Sequence, residues 1–397
     1  MADVLIIGAG PVGLFMAALL LQDGVEVQVL EQRTVPKAHS RAIGIHPPAL
    51  AALARTGVAE SLIAEGVQIR RGLALAGGKT LAEMSFAGVS DRFPFVLSLP
   101  QERTAALLER RINELDAGAV HRGVRLTRMS DDGGRLTAEA ASHRGDLHRG
   151  DLDRGEPHRV ELHYAAPLVI AADGVRSTAR ALRGVPLRAK DYPDSYFMGD
   201  FADATGFGPD AALFLAGAGI VESFPLPGQR RRWVARLGHG ELAAVRQGGD
   251  ARWLMDCVRA RTGLEIDPGS NSMLSSFGVR TRLARRMVTG RMALIGDAAH
   301  EVSPIGGQGM NLGLLDAAAL APIVTAAVRG QDVAARLRTF ERDRLRAASK
   351  AARQAEINMA LGRPLADGLL AVRNRAIGGV AAVPAVNALI ARRFTMH

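Results

Sequence analysis

The residues with the clearest chemical use are three glycines near the amino terminus, Gly8, Gly10 and Gly13, in the segment VLIIGAGPVG. The apolar residues before them predict a buried strand, and the apolar run from Leu14 predicts a helix. In such a turn the first glycine permits a sharp bend, the second lets the backbone approach a pyrophosphate, and the third lets the helix pack close to the sheet. The pyrophosphate would lie at the helix N-terminus, where unpaired N–H groups and the helix dipole favour negative charge.

A carboxylate follows at the spacing that dinucleotide binding requires. A second predicted strand, Val25 to Leu30, ends beside Glu31. An acid about 20 residues after the glycines can accept a hydrogen bond from an adenosine ribose. The alternative is a tight strand-to-helix turn with an incidental acid. The combination of strand, glycine loop, helix, strand and acid favours dinucleotide binding.

Two later segments also place carboxylates where a strand ends. The first is Asp173-Gly174-Val175-Arg176-Ser177, and the second is Gly296-Asp297-Ala298-Ala299-His300. Open α/β sheets bind ligands at the carboxyl ends of their strands, so Asp297 could accept a hydrogen bond from a ligand hydroxyl. A glycine-rich loop with Pro304 then starts a helix near Asn311, whose N-terminus would point at the same site. A strand-to-helix loop without a ligand is the alternative.

Taken in this order, the three motifs resemble those of the class A, single-component FAD-dependent monooxygenases, the family of para-hydroxybenzoate hydroxylase and the aromatic polyketide hydroxylases. The resemblance extends to about residue 320 and implies FAD as cofactor, with NADPH or NADH as co-substrate. It implies that His300 has a packing role and that Arg41 and Gln101 face FAD, although either alone could be a surface residue. The cofactor-binding residues it predicts are Gly8, Gly10, Val12, Gly13, Glu31, Gln32, Arg33, Arg41, Gln101, Asp173, Asp297, Pro304, Gly307, Gly309, Met310 and Asn311.

The resemblance also implies a reaction. The nicotinamide would reduce FAD, O2 would form a flavin C4a-hydroperoxide, and one oxygen atom would pass to an aromatic, phenolic or polycyclic small molecule. A flavin-dependent reductase or dehydrogenase of a hydrophobic substrate is the second hypothesis. A ligand-binding protein without turnover is a third. A flavin halogenase is disfavoured because the WxWxIP-like segment of those enzymes has no counterpart around Trp233.

The substrate pocket is expected to be apolar because water must be excluded from the reactive intermediate. Met198 is a further wall candidate, and both Tyr196 and Glu222 are possible groups for deprotonating a phenol. No catalytic base is assigned from the sequence. The predicted pocket residues are Phe197, Phe214, Glu222, Phe224 and Trp233.

Composition limits the partners. The 397 residues are 48% hydrophobic and carry a formal net charge of +10, almost all from arginine, with aromatic residues at only 4%. That scarcity disfavours a base-stacking nucleic-acid surface. Cys257 is the sole cysteine, so a disulfide or multi-cysteine metal site is excluded, and no metal is predicted. No integral membrane segment is predicted, and the expected protein is a cytoplasmic monomer or homodimer.

The pattern of elements predicts an α/β protein. We expect a Rossmann-like, glutathione-reductase-like FAD-binding domain over 1–70, 97–180 and 277–325, interleaved with a mostly antiparallel substrate-binding sheet over 71–96 and 181–276. A helical region, 326–397, would cover the substrate side. The near-repeat of His143 to Gly155 predicts a solvated hairpin tip rather than a metal site.

Overall fold

The computed structural model describes residues 2–36, 41–143, 159–381 and 383–396. The predicted hairpin tip falls mainly in 144–158 and lies outside the described residues. Its two strands are described and pair antiparallel from Leu136 opposite Ala166 to His143 opposite Arg159.

Strands from both halves of the chain build the sheets. Their bounds are β1 (Val4–Ile7), β2 (Val27–Glu31), β3 (Gly44–Ile45), β4 (Val67–Ile69), β5 (Arg71–Ala76), β6 (Lys79–Ser85), β7 (Val96–Ser98), β8 (Val120–Arg122), β9 (Val124–Asp131), β10 (Leu136–His143), β11 (Arg159–Ala166), β12 (Leu168–Ala171), β13 (Leu187–Ala202), β14 (Ala211–Phe214), β15 (Val221–Leu226), β16 (Arg230–Leu237), β17 (Met273–Ala284), β18 (Val288–Thr289), β19 (Met292–Leu294) and β20 (His300–Glu301).

Helices pack on these sheets and form the end of the described chain. Their bounds are α1 (Pro11–Gln22), α2 (Pro47–Leu53), α3 (Ala59–Glu65), α4 (Gln101–Leu115), α5 (Thr178–Leu182), α6 (His239–Gly248), α7 (Ala251–Thr262), α8 (Gln308–Val328), α9 (Ala334–Leu361), α10 (Asp367–Ala381) and α11 (Pro384–Phe394).

The six-stranded sheet has the order β18-β19-β12-β1-β2-β8, and β1 pairs parallel with both β2 and β12. All four residues of β1 are buried, as expected for a parallel strand covered on both faces. The largest hydrophobic core joins this sheet to α1, α4 and α8. The α/β fold class predicted from the glycine motif is confirmed.

The eight-stranded sheet has the order β20-β17-β13-β16-β15-β14-β5-β6. Its neighbours pair antiparallel except for β14 and β5, which run parallel. The mostly antiparallel second sheet is therefore also confirmed, as are the helices at the end of the described chain. The boundaries given above for the two domains stay a prediction.

One described helix, α8, is long and apolar enough to cross a bilayer, and 67% of its most apolar window is buried inside the molecule. Packing against α1, α2 and α9 accounts for that composition. The helices α10 and α11 would pass the same test only together, across a 99° bend.

Candidate functional site

The glycine loop joins β1 to α1 with very little space on one side and an open space on the other. Gly8 has a φ of +105°, and a Cβ there would lie 2.6 Å from the Ala172 carbonyl oxygen. A Cβ at Gly13 would lie 2.0 Å from the Gly8 carbonyl oxygen. At Gly10, by contrast, a Cβ would meet nothing within 4 Å. The loop therefore keeps room for a ligand at the N-terminus of α1, where no side chain caps the free N–H groups.

Glu31 fastens this loop from the end of β2. One carboxylate oxygen accepts the Ala9 N–H at 2.9 Å, and the other accepts the Arg33 N–H at 3.0 Å. Each carboxylate oxygen can still accept a second hydrogen bond. Glu31, Gln32 and Arg33 line the same cavity as Gly10 and Val12. Glu31 thus holds the loop in place and still faces the space where a ribose would bind.

Asp297 follows β19 and lines the cavity. Its carboxylate has no hydrogen-bond partner among the described residues, and the surrounding protein desolvates it and raises its pKa. Close by, α8 begins after Gly307, whose φ is +67°, and no side chain caps that helix N-terminus. Pro304, Gly307, Gly309 and Met310 line the cavity beside it. A carboxylate without a partner and a free helix end fit the hydroxyls and electron-rich ring edge of a flavin.

A buried ion cluster lies behind Asp297. The Asp316 carboxylate contacts His300 Nε2 at 2.5 Å and accepts from Arg344 Nε at 2.6 Å and from the Gly296 N–H at 3.0 Å. Burial raises the pKa of Asp316, but the contacts with His300 and Arg344 outweigh it and hold that pKa below its ordinary value. Burial lowers the pKa of His300, and the Asp316 charge outweighs it so that the net shift is upward. His300 does not line the cavity.

Two of the predicted cofactor residues, Asp173 and Asn311, form hydrogen bonds to other groups of the protein. Asp173 lines the cavity, but it accepts from the Ser177 hydroxyl at 2.5 Å and from the Ala179 N–H at 3.0 Å. Asn311 does not line the cavity: it accepts the His46 N–H at 2.8 Å and donates to the Gly44 and Gly307 carbonyl oxygens at 2.9 and 2.7 Å. Asn311 therefore ties α8 to β3.

Arg41 and Gln101 both line the cavity. The Arg41 guanidinium lies 5.1 Å from the centre of the Phe277 ring, and its carbonyl oxygen accepts from Arg232 at 2.7 Å. Arg232 is itself held by two hydrogen bonds to the buried Asp200, at 2.7 and 2.8 Å. Arg41 is thus hydrogen-bonded to Arg232 of the eight-stranded sheet, and the buried ion pair with Asp200 fixes Arg232 in place.

The cavity has a volume of about 1070 Å³ and runs from the glycine loop to one face of the eight-stranded sheet. This is the upper end of the size of small-molecule sites, which is suitable for a cofactor and a substrate together. On the sheet face Met198, Glu222, Phe224 and Val234 line it. Two of the five predicted pocket residues, Glu222 and Phe224, are therefore at the cavity.

Phe197, Phe214 and Trp233 are not at the cavity, which corrects their assignment to the pocket. They pack together with α7 in a separate core on the opposite face of the sheet. Successive residues of a strand point to opposite faces, so Met198 and Val234 line the cavity while Phe197 and Trp233 cannot. In the runs Phe197-Met198 and Trp233-Val234-Ala235 apolar residues occupy both faces of the strand, so the sequence pattern did not distinguish the two faces.

Side chains from distant segments complete the cavity. Phe277 comes from β17, Arg373 and Ile377 from α10, and Phe394 from α11. The prediction that the tail covers the substrate side agrees with this placement, but the individual residues were missed. No local motif marks them, because their position depends on long-range packing.

Comparison with known proteins identifies the family. The profile of the FAD binding domain family matches residues 1–355. The chain belongs to this FAD-binding family. The resemblance inferred from the three motifs is confirmed, and so is FAD as the cofactor.

Relatives of this FAD-binding chain are named as oxygenating enzymes. It is 30% identical over 350 residues to 6-methylpretetramide 4-monooxygenase of Streptomyces rimosus, covering 86% of this chain and 59% of that protein. It is 29% identical to rifampicin monooxygenase of Rhodococcus hoagii, covering 87% and 68%. The chain thus spans about three fifths to two thirds of the length of these relatives.

Solved structures share the fold. Anhydrotetracycline hydroxylase from Streptomyces rimosus superimposes with a TM-score of 0.78 at 26% identity, covering 100% of this chain and 76% of that one. The p-nitrophenol 4-monooxygenase from Pseudomonas putida gives a TM-score of 0.86 at 23% identity, covering 100% and 98%. The second likeness concerns the fold alone.

Proposed function

We propose that the protein is an FAD-dependent monooxygenase that consumes NADPH or NADH and O2 to hydroxylate an aromatic, phenolic or polycyclic small molecule. The observation that carries this proposal is one continuous cavity that joins the glycine loop and Asp297 to a mainly apolar sheet face. The names of the relatives, which include monooxygenases of tetracycline-type compounds and of rifampicin, support it.

The residues of the chain would share the work as follows. The N-terminus of α1 beside Gly10 would bind the pyrophosphate, Glu31 the adenosine ribose, and Asp297 a ribityl hydroxyl. The N-terminus of α8 would stabilise negative charge on the flavin ring. When bound, FAD supplies the redox chemistry between the nicotinamide, O2 and the substrate. The apolar sheet face would exclude water from the reaction.

Product mass tests the proposal. Flavin-loaded protein is incubated with NADPH or NADH, isotopically labelled O2 and a panel of phenols, quinolones and polycyclic quinones. We expect a product with one added oxygen atom that carries the label, while the second oxygen atom leaves as water and the nicotinamide is oxidised. A product that only gains or loses hydrogen would replace the proposal with the reductase or dehydrogenase hypothesis. A cytoplasmic location and a monomeric or homodimeric state remain predictions.

A further inference from the structure

Glu222 is a buried acid that lies among apolar side chains on the sheet face that lines the cavity. The register of the strands places Glu222 on β15 between Leu213 on β14 and Val234 on β16, and Val234 in turn lies beside Met198 on β13. All four side chains line the cavity. Along its own strand Glu222 is followed on the same face by Phe224, because residues two apart share a face. The side chains opposite Glu222 on both neighbouring strands, and the one that follows it on this face, are therefore apolar.

Glu222 is buried without a counter-charge. It is only 9% exposed, and within the described chain no hydrogen bond or ion pair joins it to another side chain. The other buried acids of this sheet differ: Asp194 is paired with Arg236 at 3.0 Å and Arg363 at 2.9 Å, and Asp200 with Arg232. A buried polar group without a partner is costly, and because Glu222 lines the cavity, a bound ligand can supply that partner.

The arginines of the neighbouring strand and of the C-terminal segment are already engaged elsewhere. Arg236 on β16 and Arg363 after α9 are held by Asp194 of β13. Arg373 on α10 donates to the Leu361 carbonyl oxygen at 2.8 Å and, at 3.4 Å, to that of Leu215.

Tyr196 is the other titratable group near Glu222. Its hydroxyl is buried without a partner in the part of the chain that the structure describes. Burial, followed by the negative charge of Glu222, raises the pKa of this hydroxyl. Tyr196 therefore stays neutral and leaves Glu222 as the group able to accept a proton.

We propose that Glu222 accepts the proton of a hydroxyl group on the aromatic substrate and thereby selects phenols over their ethers; this inference rests on the proposed function. Burial supports the role because it raises the pKa of Glu222 to about 7. A carboxylate with a pKa near the working pH is a much better partner for a phenol proton than an exposed one. Glu222 is thus a catalytic residue of the substrate side.

The proton balance is simple. The substrate O–H bond breaks, its proton forms a bond to a Glu222 carboxylate oxygen, and the electron pair stays on the substrate as phenolate. The phenolate ring is richer in electrons than the phenol and reacts more readily with an electrophilic oxygen atom. After hydroxylation the proton returns from Glu222 to the product oxygen. Glu222 begins and ends the cycle as a carboxylate.

A binding experiment tests this role without turnover. The flavin-loaded protein is titrated at neutral pH with 3-nitrophenol, whose phenolate absorbs at longer wavelength than the phenol, and with its methyl ether 3-nitroanisole. We expect wild type to bind the phenol roughly 10- to 100-fold more tightly than the ether, as for a hydrogen bond to a charged group. The difference spectrum should show the phenolate band.

Two substitutions at Glu222 separate hydrogen bonding from proton transfer. Glu222→Gln still accepts a hydrogen bond, so it should keep part of the preference but lose the phenolate band. Glu222→Leu should lose both. The matched control is Glu265→Gln, which removes one carboxylate from an exposed position away from the cavity and should behave as wild type. Flavin content and far-ultraviolet circular dichroism establish that the variants fold.

Three outcomes would overturn the inference: no binding of 3-nitrophenol to wild type, an unchanged preference in Glu222→Leu, or a phenolate band that persists in Glu222→Gln. The proposed function fails separately. If Glu222 controls phenol binding but no substrate gains oxygen, only the monooxygenase proposal falls. If oxygenated products form while phenol binding is independent of Glu222, only the present inference falls.

Discussion

Glu222 shows how a single residue can conflict with the stability of its own fold. Burial raises its pKa from the ordinary 4.5 to about 7, so the folded protein favours the neutral acid. The resulting stabilisation is complete below the unfolded-state pKa and is lost as the pH rises through about 7. Above that pH the fold carries the cost of a buried, ionised carboxylate.

We predict that Glu222→Gln removes this pH dependence. Between about pH 4 and about pH 8, the free energy of unfolding of the variant should rise relative to wild type by about 3 kcal/mol, from the pKa difference of roughly 2.5 units. Urea denaturation at both pH values measures it. The control Glu265→Gln should run parallel to wild type. A Glu222→Gln variant that also runs parallel would show that Glu222 ionises at its ordinary pKa.

Individual residues could be predicted from the sequence when neighbouring residues in the chain determine their role, and not when distant strands determine it. Gly8, Gly10 and Gly13 could be assigned because each answers a requirement of one turn. Phe197 was misplaced because both faces of its strand are buried and apolar. Glu222 was predicted as a pocket residue and as a possible proton acceptor. Its apolar surroundings were not foreseen, because they depend on strands β14 and β16, and the sequence does not show that these two strands pair with β15.

At the scale of elements, the β1-loop-α1 unit separates folding from ligand binding. Gly13 is in contact with the Gly8 backbone, whereas Gly10 borders open space and has φ −76° and ψ 171°, a conformation that any residue adopts. The fold should therefore tolerate a larger side chain at Gly10 but not at Gly13.

We predict that Gly10→Val folds but binds FAD at least about tenfold more weakly, a loss of about 1.4 kcal/mol or more, because the new side chain occupies the pyrophosphate space. Gly13→Val should instead prevent stable folding, since a Cβ there would collide with backbone. FAD titration by fluorescence and thermal denaturation without FAD distinguish the two. Unchanged FAD affinity in Gly10→Val would contradict the assignment of the pyrophosphate.

The Asp316 cluster links the Asp297 turn to α8 and α9. We predict that Asp316→Leu destabilises the fold by about 3 to 5 kcal/mol, because it leaves the buried His300 and the half-buried Arg344 without their carboxylate. Flavin retention should fall as well, because the Gly296 N–H next to Asp297 loses its acceptor. The measurements are chemical denaturation and flavin absorbance per protein.

The exposed ion pair of Arg342 and Asp343, at 2.9 Å, offers the control for this substitution. Asp343→Asn should leave stability and flavin content unchanged, because exposed pairs contribute little. Equal effects of Asp343→Asn and Asp316→Leu would show that the buried cluster does not brace the flavin site.

Element predictions from sequence succeeded where periodicity was strong. The helical spacing of Leu107, Leu108 and Ile112 predicts a helix over Gln101 to Leu115, and α4 has those bounds with these three residues buried on one face. The parallel pairing of β14 with β5 was not anticipated. These strands are more than 130 residues apart in the chain, and no local pattern determines which strands of a sheet become neighbours.

At the scale of the whole molecule, the cavity is closed by parts that are far apart in sequence. Phe394 at the end of α11 stacks on Phe86 at 6.0 Å between ring centres and lies 5.5 Å from the His46 ring. Phe394 thereby joins α11 to Phe86, which follows β6, and to His46, which lies between β3 and α2. We therefore expect this contact to help exclude water from the cavity.

We predict that Phe394→Ala lowers the fraction of nicotinamide oxidation that yields hydroxylated product, because water enters the cavity. The loss of stability should stay below the about 3 to 5 kcal/mol of a fully buried Phe, since Phe394 is half-buried. Product formed per NADPH or NADH consumed is the measurement. The control Leu389→Ala, on a side chain 52% exposed and outside the cavity, should keep the wild-type ratio. Equal ratios in both variants would remove Phe394 from the closure.

The interleaving of the two large sheets limits how this architecture can be inherited. Strands β5 and β6 reach the eight-stranded sheet between segments of the six-stranded one, and β18 and β19 return to the six-stranded sheet between β17 and β20. A single recombination event between two relatives cannot exchange the substrate-facing sheet as a unit. New specificity in such a chain must therefore arise mainly by point changes on the cavity face or by exchange of several segments at once.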